Sequence, residues 1–343
     1  MKALSIDRPG TISTVDIAVP VPGPGEVLIS VAYVGYCGSD LTSYRGLNPL
    51  VSYPRVPGHE IAGEVAGLGP EVSGLNVGQA VTVLPYFNCG ICNACRMGLT
   101  NACKHNQTMG VQREGAMTGK VVVPAGQVIP VDGMAQRDLA LIEPCAVGFH
   151  AVRRARISAG ETVVVLGCGM IGLGVILGAI RLGAKVIAVD LSAAKLAVAA
   201  KLGASATIDA SSSDVLAEVR QLTGDDGPAV VIEAVGADVT FRQAIDLVGS
   251  CGRVVYVGYA KAPVSYDTKQ FLLKEIDILG SRGAQRADFD AVIECLKARP
   301  GVGDLIVSKV VSLDEAGAAM TAWDADPGGF TKILIDVREP ARV

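Results

Sequence analysis

The chain reads as an α/β protein of two domains: a compact, mostly antiparallel β domain, then a doubly wound parallel sheet of six strands with helices on both faces. Length, punctuation and rhythm support this. The 343 residues suffice for about two domains at roughly 150 residues each. The first 130 residues hold short apolar runs set off by glycine and proline. From about residue 157 strand-like and helix-like segments alternate, the pattern of a parallel sheet covered on both faces.

In the first domain, strands are expected at 27–34, 61–68, 80–84 and 120–123. A Pro-Gly cluster at 20–25 and a long loop at 98–118 separate them. In the second, strands are expected at 162–166, 185–190, 206–209, 229–233, 253–258 and 276–280. Helices are expected between them at 172–182, 193–201, 214–222 and 241–248. The tail has a helix at 289–298 and a late strand at 332–337, which extends the parallel sheet or returns to the first domain. The expected domains are therefore 1–150 with 287–343, and 151–286.

Composition narrows the partners. Lys and Arg total 30 against 34 Asp and Glu, a net charge of −4, so no basic face for nucleic acid or an anionic membrane is expected. Half the residues are hydrophobic, enough for sizeable cores. The N-terminal MKALSIDRPG is too short and too polar for a signal peptide, and the apolar run at 162–180 is broken by small residues, so no membrane span is expected. Nine cysteines, four of them between Cys89 and Cys103, suit thiolates on a metal in a reducing cytoplasm better than a disulfide framework.

The most specific local signal is Gly167-Cys168-Gly169-Met170-Ile171-Gly172, a GxGxxG placed after a strand and opening a helix. Gly167 permits the tight turn, Gly169 lets a pyrophosphate reach the helix N-terminus, and Gly172 lets helix and strand pack closely. Asp190 ends the next strand, placed to accept hydrogen bonds from the adenosine ribose. A carboxylate there repels a 2′-phosphate, so NAD is expected rather than NADP. The alternative is a flavodoxin-like turn with no dinucleotide. Val235, Val257, Gly258 and Tyr259, at the carboxyl ends of later strands, are expected to line the cofactor. Arg282 ends the last strand on the same edge and is a candidate for a substrate carboxylate or the cofactor, against a structural ion pair.

Cys89, Cys92, Cys95 and Cys103 follow the spacing CxxCxxCx₇C. Four thiolates can close a tetrahedron around one Zn²⁺ and leave no position for water, which reads as a structural site stiffening a lobe at 86–110. An iron–sulfur cluster and free surface thiols are the alternatives. Cys37 in YCGSD, His59-Glu60 in PGHE and Glu143 in EPCAV are weak signals one at a time.

Together they become specific. CGSD at 37–40, GHE at 58–60, the cysteine spacing and the GxGxxG resemble the zinc-dependent medium-chain dehydrogenases over essentially the whole chain. Glu60 after His59 and the Glu143-Pro144 pair resemble the sorbitol (polyol) dehydrogenase branch. The stretches YRGLNPLVSYPRVPGHE, EPCAVGFHAVRR and ILGSR resemble L-galactonate and L-gulonate 5-dehydrogenases.

The resemblance implies a GroES-like catalytic domain and a Rossmann domain, with the active site in the cleft between them. It implies two Zn²⁺ per chain, the catalytic one held by Cys37, His59 and either Glu60 or Glu143, and NAD as hydride acceptor. Ser39 would start the proton relay, and Thr42 stands where many relatives carry His. Lys195 matches a basic residue that contacts the adenosine ribose. Arg113, in GVQREGA where sugar-acid relatives show GVHxDGG, is a second candidate carboxylate clamp. The implied substrate is a secondary alcohol of a polyol or sugar acid, deoxy sugar acids included, and the implied assembly a homodimer or homotetramer. A non-catalytic NAD-binding protein and a zinc-free quinone reductase of the same fold are the other readings.

Overall fold

The computed structural model describes residues 1–338. Its chain divides into two compact units, Met1–Glu143 with Ile306–Val343, and Pro144–Leu305. The expected tail runs on to 343, and residues 339–343 lie outside the described residues. No described helix is long and apolar enough to cross a membrane.

The first unit is built on a seven-stranded sheet. Along it run Val307–Ser312, Lys332–Asp336, Glu26–Gly35, Glu60–Leu68, Ala80–Val83 and Val128–Pro130, and Lys120–Pro124 pairs with Glu26–Gly35. All pairings are antiparallel except that of Val307–Ser312 with Lys332–Asp336. Val27, Ile29 and Val31 bury one face of the long strand, as a period of two requires. The tail question is settled: Lys332–Asp336 returns to the first unit, with Leu334 opposite Gly35. An N-terminal hairpin, Lys2–Arg8 with Thr11–Asp16, joins this core and was not expected from the pattern.

The second unit carries six parallel strands in the order Ala206–Asp209, Lys185–Asp190, Thr162–Leu166, Val230–Glu233, Arg253–Tyr256, Asp277–Gly280. The strand order reverses between Thr162–Leu166 and Val230–Glu233, the place where open sheets bind ligands. Val163, Val164 and Val165 are all fully buried, so both faces of the central strand are covered. Local signals set the helices. Ser192 caps Ala193–Leu202, whose C-cap Gly203 is left-handed, and Asp214 accepts the backbone N–H groups of Leu216 and Ala217.

Boundaries differ from expectation in two places. The helix expected at 172–182 is Met170–Arg181, because Gly169 already serves as its N-cap. The units divide at Glu143 and Ile306 rather than 150 and 287. The physical reason is the helix Ile142–Ala155, which lies against Met170–Arg181: a Cβ on Gly174 would meet the Cys145 backbone at 3.1 Å. Asp288 then ties Arg286–Ala298 to it, accepting from Arg153 Nε at 2.8 Å with His150 Nδ1 at 2.9 Å. His150 is thus a packed structural residue, and Cys145 is fully buried.

Candidate metal centre and dinucleotide turn

Sheet pairing assembles the first cluster. Glu26–Gly35 delivers the chain to Cys37, the N-cap of the short helix Gly38–Tyr44. Glu60 opens the next strand directly opposite Gly35. A Cβ on Gly35 would lie 1.9 Å from Glu60 Oε2, so only glycine leaves room for that carboxylate. As a result one ligand atom each of Cys37, His59 and Glu60 fall within 4.8 Å of one another.

The surroundings are dry and rich in acid. His59 and Glu60 are buried, as are Asp40, Glu143 and Lys332. Asp40 Oδ2 accepts the Cys37 N–H at 2.9 Å and Oδ1 accepts that of Gly58 at 3.4 Å, so Asp40 braces the turns that carry both Cys37 and His59. Lys332 Nζ donates to both oxygens of Glu60, at 2.7 and 2.6 Å, and to the Tyr36 carbonyl at 2.8 Å. Burial pushes the Glu60 carboxyl up to about 7 against the pull of Lys332, and Glu143 adds to the rise. Burial would lower His59, but Cys37, Asp40 and Glu143 around it hold the imidazole well above its ordinary range. His59 Nδ1 and Ser39 Oγ are buried without a hydrogen-bond partner among the described residues. One half-buried thiol, one buried imidazole and one buried carboxylate, amid surplus negative charge, fit a zinc ion with room for a further ligand.

Glu143 is not part of this group of three. It sits in the first turn of Ile142–Ala155, and its carboxylate accepts a hydrogen bond from the Tyr86 hydroxyl. Thr42, expected in the relay, donates its hydroxyl to the Gly38 carbonyl at 2.8 Å.

The second cluster is local. Cys89, Cys92, Cys95 and Cys103 place their sulfurs within 4.8 Å of one another, none in a disulfide. Tyr86–Phe87 and Gln107–Thr108 pair to close the lobe. The backbone N–H groups of Cys89 and His105 each reach Cys103 Sγ at 3.3 Å. Backbone N–H groups of Cys95 and Lys104 pull the Cys92 thiol down to about 6. Burial and its neighbouring thiols push Cys95 the other way, up to about 12; four thiols this close together fit a closed zinc site, in which the metal completes the deprotonation.

In the second unit Gly167 has φ +95°, which favours glycine, and a Cβ on Gly172 would sit 1.8 Å from the Gly167 carbonyl oxygen. Asp190 Oδ2 accepts the Cys168 N–H at 2.6 Å and Oδ1 accepts that of Ser192 at 2.9 Å, so its carboxylate is fixed beside the turn. Lys195 lies half-buried in the first turn of the following helix. Val235 and Tyr259 are exposed at strand ends. Glu233 Oε1 accepts from the N–H groups of Val235 and Gly236 and from Thr240, while its Oε2 is buried without a partner among the described residues.

Known proteins match this architecture unit by unit. Residues 23–133 match the alcohol dehydrogenase GroES-like domain, and residues 171–298 the zinc-binding dehydrogenase domain. L-galactonate-5-dehydrogenase of Escherichia coli is 38% identical over 85% of this chain and 86% of that protein. This chain belongs to the zinc-dependent medium-chain polyol dehydrogenases. Sorbitol dehydrogenase of Halalkalibacterium halodurans is 34% identical over 98% of this chain and 99% of that protein. A solved structure of a short chain alcohol dehydrogenase from Escherichia coli, complexed with NADH, is similar at a TM-score of 0.90 and 29% identity, covering 98% of this chain and 99% of that one. The chain is an oxidoreductase of the polyol and sugar-acid class, with zinc and NAD as cofactors.

Sequence reasoning left four residues of this family member without a role. Asp40 stood inside CGSD, where its spacing from Cys37 could have marked a capping box. Glu233 stood two residues before Val235 at a strand end. Tyr86 and Lys332 carried no local signal.

Proposed function

We propose that this dehydrogenase oxidises a secondary alcohol of a sugar acid, of the L-galactonate or L-gulonate type, with NAD as acceptor. The observation that carries the chemistry is the compact group of half-buried Cys37 with buried His59 and Glu60. The sugar-acid class is supported by the 38% identity to L-galactonate-5-dehydrogenase. Bound there, zinc would supply Lewis-acid polarisation of the substrate hydroxyl, and NAD would supply the hydride acceptor. Cys37, His59 and Glu60 are the ligands, and Cys89, Cys92, Cys95 and Cys103 hold the structural ion. Ser39 Oγ, without a hydrogen-bond partner among the described residues, accepts the proton that the substrate hydroxyl gives up as it passes its own hydroxyl proton on. With the Thr42 hydroxyl donating to the Gly38 carbonyl and no imidazole at this position, the proton continues from Ser39 to water.

The Gly167–Gly172 turn and the N-terminus of Met170–Arg181 receive the pyrophosphate, Asp190 and Lys195 the adenosine ribose. Val235, Val257, Gly258 and Tyr259 line the nicotinamide half. Arg113 stacks its guanidinium on the Phe87 ring, 3.9 Å from the centroid, and is the candidate for the substrate carboxylate, with Arg282 as the second. The first unit is then the catalytic domain and the second the nucleotide domain. A parallel sheet edge with exposed apolar residues calls for a cover. Asp277–Gly280 is such an edge, with Ile278 and, just before it, Leu272 and Leu273 exposed, so a second copy of the chain is the expected partner. Free thiols throughout suit the cytoplasm.

The test is NADH formation at 340 nm with L-galactonate, L-gulonate, deoxy sugar acids, D-sorbitol and galactitol. Turnover confined to acids supports the proposal. Turnover confined to neutral polyols, the reading favoured by the likeness to sorbitol dehydrogenase, removes it.

A further inference from the structure

The two carboxylates at the metal centre are not equivalent. Glu60 belongs to the group of three, and both its oxygens face Lys332. Glu143 stands outside that group, although its charge is felt by both His59 and Glu60. What fixes it is the Tyr86 hydroxyl, which donates to Glu143 Oε1. The phenol is itself anchored. Tyr86 pairs with Thr108 across the short ladder, and its carbonyl accepts from Gln127 Nε2 at 2.8 Å. Tyr86 stands three residues before Cys89, so the closure of the cysteine lobe sets where the phenol points. Glu143 also lies in the first turn of a helix, where free N–H groups favour a negative charge. A carboxylate held by a fixed donor loses its freedom to rotate.

We propose that Tyr86 is a positioning residue: its hydroxyl holds Glu143 beside the Cys37–His59–Glu60 group as a hydrogen-bond acceptor and keeps it out of the metal's ligand set. This rests on reading that group as the zinc site. The choice between two neighbouring carboxylates becomes the work of one hydroxyl, displayed from the rim of the other zinc lobe.

The test uses the full-length enzyme with zinc in the cysteine site and cobalt(II) in the other, read by its visible spectrum. Four proteins are compared: wild type, Tyr86→Phe, Glu143→Gln and the double variant. Glu143→Gln alone should leave the spectrum unchanged, because Glu143 is not a ligand. Tyr86→Phe should shift it, because Glu143 is released onto the metal, and the double variant should restore it. Turnover of Tyr86→Phe should fall about 10- to 100-fold, the usual cost of losing an outer-shell partner, with KM for NAD within about twofold.

A Tyr86→Phe spectrum identical to wild type overturns the proposal. So does a shift that survives in the double variant, or a shift in Glu143→Gln alone. That last arm needs no change at Tyr86, so it decides even if Tyr86→Phe does not fold. Cobalt bound by the cysteines alone would overturn the zinc reading and this proposal together. Absence of turnover on every sugar acid and polyol, with the spectra as expected, would remove the substrate reading and leave Tyr86 in its role.

Discussion

The two metal clusters reach similar compactness by opposite routes. The four cysteines come from fifteen consecutive residues, sit near the surface, and are brought together by short turns and a two-residue ladder. Cys37, His59 and Glu60 come from the adjoining ends of two paired strands, Cys37 just past one and His59-Glu60 at the start of the other, and are surrounded by buried acids and one buried lysine. A closed set of like donors has one task, to hold an ion that holds the lobe. A mixed set with fewer donors, in a dry and negatively charged place, can hold an ion and leave it able to react.

The sharpest test of this contrast is a swap of consequences. Cys37→Ser should lower turnover by roughly three decades or more, since polarising the hydroxyl is worth several kcal/mol. Zinc content should fall from two to one per chain and the unfolding temperature should barely move. Metal analysis beside a 340 nm assay checks this, and two zinc ions retained would break the contrast. Cys103→Ser should do the reverse. It removes a fully buried ligand of the closed set, so the unfolding midpoint should drop by roughly 10 °C. Below that temperature kcat should fall less than about tenfold. Calorimetry with and without added zinc reads the difference.

The same contrast explains what the sequence disclosed. The cysteine spacing, the GxGxxG and Asp190 are legible because their partners are local. The six parallel strands are legible because each centres on a short apolar run and alternates with a helix-like segment. Cys37, His59 and Glu60 became a site only through family resemblance, since the pairing of Gly35 with Glu60 brings them together. Lys332 lies 272 residues from its partner Glu60, in a strand whose pattern gave no hint of a buried charge. The N-terminal hairpin was missed because one of its strands buries four residues in a row and the other is largely polar, so neither alternates cleanly. The helix Ala316–Ala325, rich in small residues and without a capping side chain, offered no start signal.

A buried charge cluster in the other unit serves as the control. Burial would raise the Asp288 carboxyl, but His150, Arg153 and the Gln285 N–H outweigh it and hold the carboxyl down to about 2. A carboxylate depressed on folding stabilises above its unfolded pKa and loses that contribution as pH falls through its folded one. Asp288→Asn should therefore cost about 2 kcal/mol at pH 7, fading between about pH 4 and pH 2. Urea unfolding at several pH values measures it, and both zinc ions should remain. A loss of zinc would show that the two units are coupled and that the clusters cannot be compared in isolation.

The smallest expected effect concerns the proton rather than the metal. Thr42 is half-buried with its hydroxyl donating to the Gly38 carbonyl, and a threonine offers Ser39 no group that titrates near neutral pH. An imidazole at that position would supply one, with an ordinary pKa of about 6.5. Thr42→His should move the rising limb of the kcat profile to lower pH, by about one unit at most. The gain should be only a fewfold below neutrality and negligible where hydroxide or water already carries the proton. KM for substrate should not follow, because Thr42 is assigned no contact with it. An unchanged kcat profile would mean that the proton leaves Ser39 by a route independent of residue 42, through the cofactor ribose or directly to water. The departure from His would then be neutral for catalysis, and on the protein's side the relay would rest on the buried Ser39 Oγ alone.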